Sequence, residues 1–204
     1  MKRILIGISG ATGAIFGIRA LEVLKTVPDV EVHLIVTDAG ALTIKEETNW
    51  SLKDVVALAD YSYDISDIGA RISSGSFRTD GMIIAPCSIK SMSMISNSIN
   101  ANLLIRAADV ILKEKKKLVL MVRETPLHIG HLRLMMNLAE MGVVIHPPMP
   151  AFYFKPQGLD DIINHTVGRI FDHFEIDCHL FERWSGTGGK KAKPEKSASA
   201  HHKR

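Results

Sequence analysis

The chain has 204 residues, 46% of them hydrophobic, two cysteines and a formal charge of +3. That length suits one globular domain with a sizeable core, and two cysteines are too few for a disulfide framework and fit a reducing cytoplasm. No apolar run approaches the roughly 20 residues of a membrane span. A strand is predicted within the first few residues, so no secretory signal is expected.

From Ser185 onward, six basic residues stand against Glu195 alone, which gives that tail +5 and leaves the body near −2. Glycines, Pro194 and scattered Ser and Ala predict disorder over 185–204, after a folded domain over 1–184. The tail lacks interleaved aromatics, so it reads as solubilising and no nucleic-acid partner is expected.

The run over 3–8 is short, apolar and β-branched, and predicts a buried strand. It breaks into Ser9-Gly10-Ala11-Thr12-Gly13-Ala14. Ile15, Ile18, Leu21 and Leu24 then recur at helical spacing, predicting a helix over 14–25. A strand, tight turn and helix start leave backbone N–H groups free for an anion. The glycines do not follow G-x-G-x-x-G, so this is not the dinucleotide fingerprint. The competing reading is the plain βα turn of any α/β protein. Further strands are predicted over 30–36, 81–85, 117–122 and 143–145. Helical patterns cover 39–46, 51–58, 88–96, 102–113, 128–141 and 159–173. This alternation predicts a single Rossmann-like or flavodoxin-like α/β domain, a parallel sheet with helices on both faces.

Ligands of such sheets bind beyond the carboxyl ends of the strands. Those ends carry Ser9–Thr12, then Thr37 and Asp38, then Pro86-Cys87-Ser88 with Lys90 and Ser91. Next come Arg123-Glu124-Thr125-Pro126, and finally His146-Pro147-Pro148 leading to Phe152 and Tyr153. Hydroxyls and helix-start amides suit a phosphate and a polar ring, and a guanidinium such as Arg123 suits a second anion.

Several segments together carry a family resemblance. They are Gly10-Ala11-Thr12-Gly13-Ala14, Ser73-Ser74-Gly75-Ser76-Phe77, Pro86-Cys87-Ser88-Ile89-Lys90-Ser91 and Arg106-Ala107-Ala108-Asp109-Val110. Leu112-Lys113-Glu114, Arg123-Glu124-Thr125-Pro126-Leu127, Pro147-Pro148-Met149-Pro150-Ala151-Phe152-Tyr153 and Arg183-Trp184 complete the set. Over residues 3–184 the chain resembles the UbiX-type flavin prenyltransferases, of the branch associated with hydroxyarylic (phenolic) acid decarboxylases.

The resemblance implies an enzyme joining a dimethylallyl group from dimethylallyl monophosphate to reduced FMN, at flavin N5 and then C6. The product, prenylated FMN, would serve a UbiD-type aromatic acid decarboxylase. No metal is implied. A cytoplasmic homo-oligomer is implied, a dodecamer with sites at subunit interfaces. By motif, Ser9, Gly10, Ala11, Thr12, Gly13, Thr37, Ser88, Ser91, Arg106 and Arg123 would hold the flavin. Lys113, Arg123, Tyr153 and Arg169 would grip the isoprenyl phosphate. Glu47 and Glu124 match two family carboxylates, and Trp184 matches a tryptophan that closes over the site. Fixed cations would stabilise the leaving phosphate, and the aromatic faces of Trp184 or Tyr153 an electron-poor allyl fragment. Closing a fourth ring needs a base, either Glu124 or the released phosphate. One departure stands out: after His131-Leu132 the family usually carries Glu-Asn, where this chain has Arg133-Leu134.

Blander roles compete at several positions. Ser88 is expected to cap the following helix, Arg169 to meet Asp172 three residues on, and Arg123–Glu124 to suit a surface ion pair. Cys87 reads as a small buried residue. The histidines lack the partners of a zinc site. Two other functions remain open: a flavin-dependent cysteine decarboxylase of the same superfamily, and a non-catalytic FMN carrier subunit of a decarboxylase complex.

Overall fold

The computed structural model describes residues 1–186; residues 187–204, with most of the basic tail, lie outside the described residues. Six strands form one sheet: β1 (Lys2–Ile8), β2 (Val30–Val36), β3 (Tyr61–Tyr63), β4 (Gly81–Cys87), β5 (Lys117–Val122) and β6 (Val144–Ile145). Between and after them run α1 (Ala14–Leu24), α2 (Asp38–Glu47), α3 (Leu52–Val56), α4 (Ile89–Ser96), α5 (Leu103–Lys113), α6 (Ile129–Glu140) and α7 (Leu159–Asp172). Every predicted element is present, each within two residues of its expected bounds. β3 was not foreseen, because three residues with Tyr61 and Ser62 exposed carry no apolar run.

All pairings are parallel and the order is β3-β2-β1-β4-β5-β6. This is the doubly wound Rossmann order, with its topological switch between β1 and β4. Strand side chains alternate between two cores, as a pleat requires. Ile4, Ile6, Ile8, Ile83, Ala85, Val119 and Met121 face α1 and α7. Leu5, Met82, Ile84, Leu118, Leu120 and Val122 face α4, α5 and α6. Polar side chains start the helices: Thr37, Ser51, Ser88, Asn102 and His128 each accept a backbone N–H at a helix start. Those bonds satisfy donors that a helix leaves without an internal partner. Among the described residues, no helix is long and apolar enough to cross a membrane.

Candidate functional site

The carboxyl ends of β1 and β4 are clasped together by Ser9. Its hydroxyl donates to the Pro86 carbonyl at 2.9 Å and accepts the Ser88 N–H at 2.8 Å. The residue is only 1% exposed, so its hydroxyl serves as a strut, and exposed Gly10 and Thr12 form the outward lip. Ser88 caps α4 as expected, accepting the Ser91 N–H at 3.2 Å and donating to the Ser91 hydroxyl at 3.1 Å. Thr37 caps α2 through the Gly40 N–H at 3.0 Å. Three of the hydroxyls assigned to flavin therefore also build the edge that would hold it.

Gly13 stands at φ +99° at the start of α1, a left-handed conformation that a side chain disfavours. The turn presents its amides, but they are not all free. The Glu47 carboxylate accepts the Gly13 N–H at 2.7 Å and the Ala14 N–H at 3.4 Å. An acidic side chain at the positive end of a helix dipole is favourable there. The expected open anion site at α1 thus holds the chain's own carboxylate, brought from the end of α2.

At the end of β5, Arg123 and Glu124 are both exposed. The Arg123 N–H donates to the Cys87 carbonyl at 3.1 Å, which ties this end to β4. The Glu124 carboxylate accepts the Thr125 N–H at 2.9 Å. Among the described residues no ion pair joins Arg123 to Glu124, so the surface-pair reading finds no support. Exposed guanidinium, carboxylate and Thr12 hydroxyl on one edge fit a phosphate and a polar ring. Cys87 is fully buried, and burial pushes its thiol up to about 12, which removes it as a nucleophile near neutral pH.

The remaining candidates lie elsewhere on the chain. α5 runs antiparallel to the strands, so Lys113 at its end sits by the amino ends of β4 and β5. Six or seven residues at about 3.3 Å each put roughly 20 Å between that edge and Arg123. There Lys113 pairs with Glu114 at 2.5 Å. A Cβ on Gly75 would come within 2.6 Å of the Lys113 ammonium nitrogen, so the 73–77 loop lies directly against it. Arg106 donates to the Ser73 carbonyl at 3.2 Å and to Asp109 at 3.0 Å. The loop and both cations form one face.

Tyr153, Arg169 and Trp184 form a third group, on α7. The segment after β6 folds back so that Tyr153 reaches His165 on α7, hydroxyl to Nε2, at 2.8 Å. The C-terminal segment crosses the same helix. Phe181 lies over Gly168, where a Cβ would come within 2.6 Å of the ring. Arg183 makes two bonds to Asp172, at 3.0 and 2.6 Å, and Arg169 adds a third at 2.6 Å. Trp184 meets Tyr153 edge to face, with centroids 5.5 Å apart. Tyr153, Arg169, Phe181, Arg183 and Trp184 line a cleft of ≈ 400 Å³. The local Arg169–Asp172 pair is present, as its spacing suggested.

One chain therefore divides the expected residues among three places: the carboxyl edge, the α5 face and the α7 cleft. Behind the cleft lining, His165 bonds Tyr153 and Asp172 bonds Arg183; sequence reasoning gave His165 no role and Asp172 only its pairing with Arg169. The spacing of four between His165 and Arg169, one turn of helix, is the signal that could have found the first. Among the described residues, no group of three or more His, Cys, Asp or Glu side chains is arranged to hold a metal.

Comparison with known proteins agrees with this fold and these motifs. Residues 1–171 match the Flavoprotein family model. The chain is 58% identical over 188 residues to the flavin prenyltransferase UbiX of Escherichia coli K12, covering 91% of this chain and all of that one. A dodecameric FMN-dependent UbiX-like decarboxylase from Escherichia coli O157:H7 superposes with a TM-score of 0.89 at 48% identity, covering 90% of this chain and all of that one. AnUbiX (PadA1), solved in complex with FMN and dimethylallyl pyrophosphate, also gives 0.89, at 47% identity, covering 91% of this chain and 98% of that one. The doubly wound edge, the motifs and these similarities together place the chain in the flavoprotein family, among the UbiX flavin prenyltransferases.

Proposed function

We propose that this chain joins a dimethylallyl group to reduced FMN, giving prenylated FMN for a UbiD-type decarboxylase. The observation that carries this is the exposed Arg123–Glu124 pair at the carboxyl edge after β5, left without an ion pair between its members. It would supply a phosphate grip and a base beside the lip of Gly10 and Thr12. Gly10, Ala11, Thr12 and Gly13 would border the flavin, with Thr37, Ser88 and Ser91 behind them. FMN, when bound, supplies nucleophilic N5 and C6 positions on its reduced ring.

The chain's own residues do the rest. Arg123, Tyr153 and Arg169 would hold the departing phosphate, where fixed cations stabilise developing negative charge. The rings of Trp184 and Tyr153 would face the electron-poor allyl group, worth about 0.5–2 kcal/mol. Glu124 would accept the proton lost from C6, with the released phosphate as the alternative base. Glu47 holds α1 in place and brings a second carboxylate to the same edge.

Because these residues lie in three places, we read the complete site as shared between copies of the chain. One copy would give the carboxyl edge, and neighbours would give Arg106 and Lys113 from α5 and the α7 cleft. An apolar stripe supports assembly: Ile129, Leu132 and Met136 on α6 are 62%, 47% and 55% exposed, at the spacing of one helix face. A dodecamer like that of the solved relative would accommodate this arrangement. A cytoplasmic setting, where reduced flavin and the free thiols of Cys87 and Cys178 persist, belongs to the same reading. An FMN carrier would need no phosphate grip beyond that for FMN itself.

The test is anaerobic incubation with reduced FMN and dimethylallyl monophosphate, followed by mass analysis of the flavin. The prenyl increment is expected. Flavin bound without that increment refutes the proposal, and the pyrophosphate run in parallel identifies the preferred donor.

A further inference from the structure

Tyr153 hangs on a segment with no regular secondary structure, and its side chain is 49% exposed. A phenol in that position needs something to aim it. The aiming group is His165, whose Nε2 lies 2.8 Å from the Tyr153 oxygen. His165 is only 7% exposed. Its ring is stacked on Phe154, with centroids 4.7 Å apart and planes at 11°, and is met by Phe181 at 4.7 Å. The imidazole is therefore fixed in orientation by aromatic packing on two sides. Burial, and then the nearby Arg169 charge, hold its pKa below the ordinary histidine value, so the ring is neutral at pH 7.

A neutral imidazole carries one N–H, and which nitrogen carries it decides what Tyr153 can do. If Nε2 is bare, it accepts the phenol proton, and Tyr153 shows only lone pairs to the cleft. Lone pairs repel an anion. If Nε2 carries the proton, it donates to the phenol oxygen, and the tyrosine O–H is free to donate into the cleft beside Arg169.

We propose that His165 is a positioning residue: in its Nε2–H form it holds the Tyr153 oxygen and turns the hydroxyl proton toward the substrate phosphate. This rests on the assignment of Tyr153 to the phosphate grip. Atoms and charges are unchanged by the step; only the direction of one hydrogen bond is set.

The experiment compares His165→Leu, His165→Gln and Tyr153→Phe, with the double variant Tyr153→Phe/His165→Leu, in the assembled enzyme with dimethylallyl monophosphate. His165→Leu is expected to raise KM for the phosphate about tenfold, the size of a lost charge-assisted bond, with little change in kcat and intact flavin binding. His165→Gln, whose amide N–H can replace the donor, restores KM to within about threefold. In the Tyr153→Phe background, His165→Leu adds nothing further. Imidazole 15N NMR of the wild type shows the proton on Nε2. Equal effects of His165→Leu with and without the Tyr153 hydroxyl overturn the proposal, as does a proton found on Nδ1 alone. If His165→Leu fails to assemble, the glutamine variant and the NMR spectrum still decide. A wild type that makes no prenylated flavin instead refutes the functional reading beneath it.

Discussion

Asp172 is where the C-terminal segment is fastened, and Asp172→Asn should release Trp184 from Tyr153. Three hydrogen bonds converge on this carboxylate, two from Arg183 at 3.0 and 2.6 Å and one from Arg169 at 2.6 Å. The carboxylate is 20% exposed, whereas Arg169 and Arg183 are 49% and 55% exposed. Solvent therefore screens each pair, and exposed pairs contribute about 0.2–1 kcal/mol. The two-pronged Arg183 contact belongs at the upper end of that range. Without the carboxylate charge, two guanidiniums are left facing an amide. The total loss is about 1.5 kcal/mol, close to the 1.4 kcal/mol that changes an equilibrium tenfold. The open form of the terminal segment should therefore be about tenfold more populated.

Trp50 is replaced by Phe in the assay, which leaves Trp184 as the only tryptophan. Acrylamide quenching of Trp184 should then rise in Asp172→Asn while the overall melting transition stays cooperative. Arg183 above all, and Arg169, hold the Asp172 pKa below its ordinary 3.8. This contribution is therefore full above that value and is lost as pH falls through the lower folded value. The wild type should come to resemble the variant only in strong acid. Unchanged quenching in Asp172→Asn would show that the Arg183 clamp does not hold the segment.

Other outcomes follow from the same geometry. Glu124→Gln should bind FMN normally yet stall product formation; full single-turnover activity in that variant removes Glu124 from the chemistry. Burial, followed by the His173, Arg169 and His165 charges, lowers the pKa of His146 from 6.5 to about 4. The unfolded chain binds the extra proton first, so stability falls as pH drops below 6.5, by at most roughly 3 kcal/mol near pH 4. His146→Gln should flatten the fall of the urea midpoint between pH 7 and 4, and an unchanged slope would contradict the assignment. Charges placed on α6, as in Leu132→Glu/Met136→Glu, should shrink the assembly in sedimentation analysis and abolish prenyl transfer. Activity from a dissociated chain would defeat the shared site.

Much of the fold was legible because its signals are local. Alternating apolar runs and helical spacing are read within about ten residues, and Ser9–Gly13 announces its own tight turn. Thr37 and Ser88 cap helices through neighbours three residues away. β3 escaped because an exposed three-residue edge strand leaves almost no hydrophobic pattern.

The sequence alone determined the element order, the parallel class of the sheet and the family to which the motifs point. It also supplied the residue types: arginines, carboxylates and aromatics suited to an allylic phosphate and a flavin. Only the tertiary structure decided which of them meet. It sent Lys113 to the amino edge, because a helix returning between parallel strands reverses direction. It placed Glu47 on the α1 amides, gave Tyr153 to His165 and fastened Trp184 through Arg183 to Asp172. Such contacts join residues 11 to 34 positions apart in the chain. Periodicity carries no information at that range; packing of whole elements sets the distance.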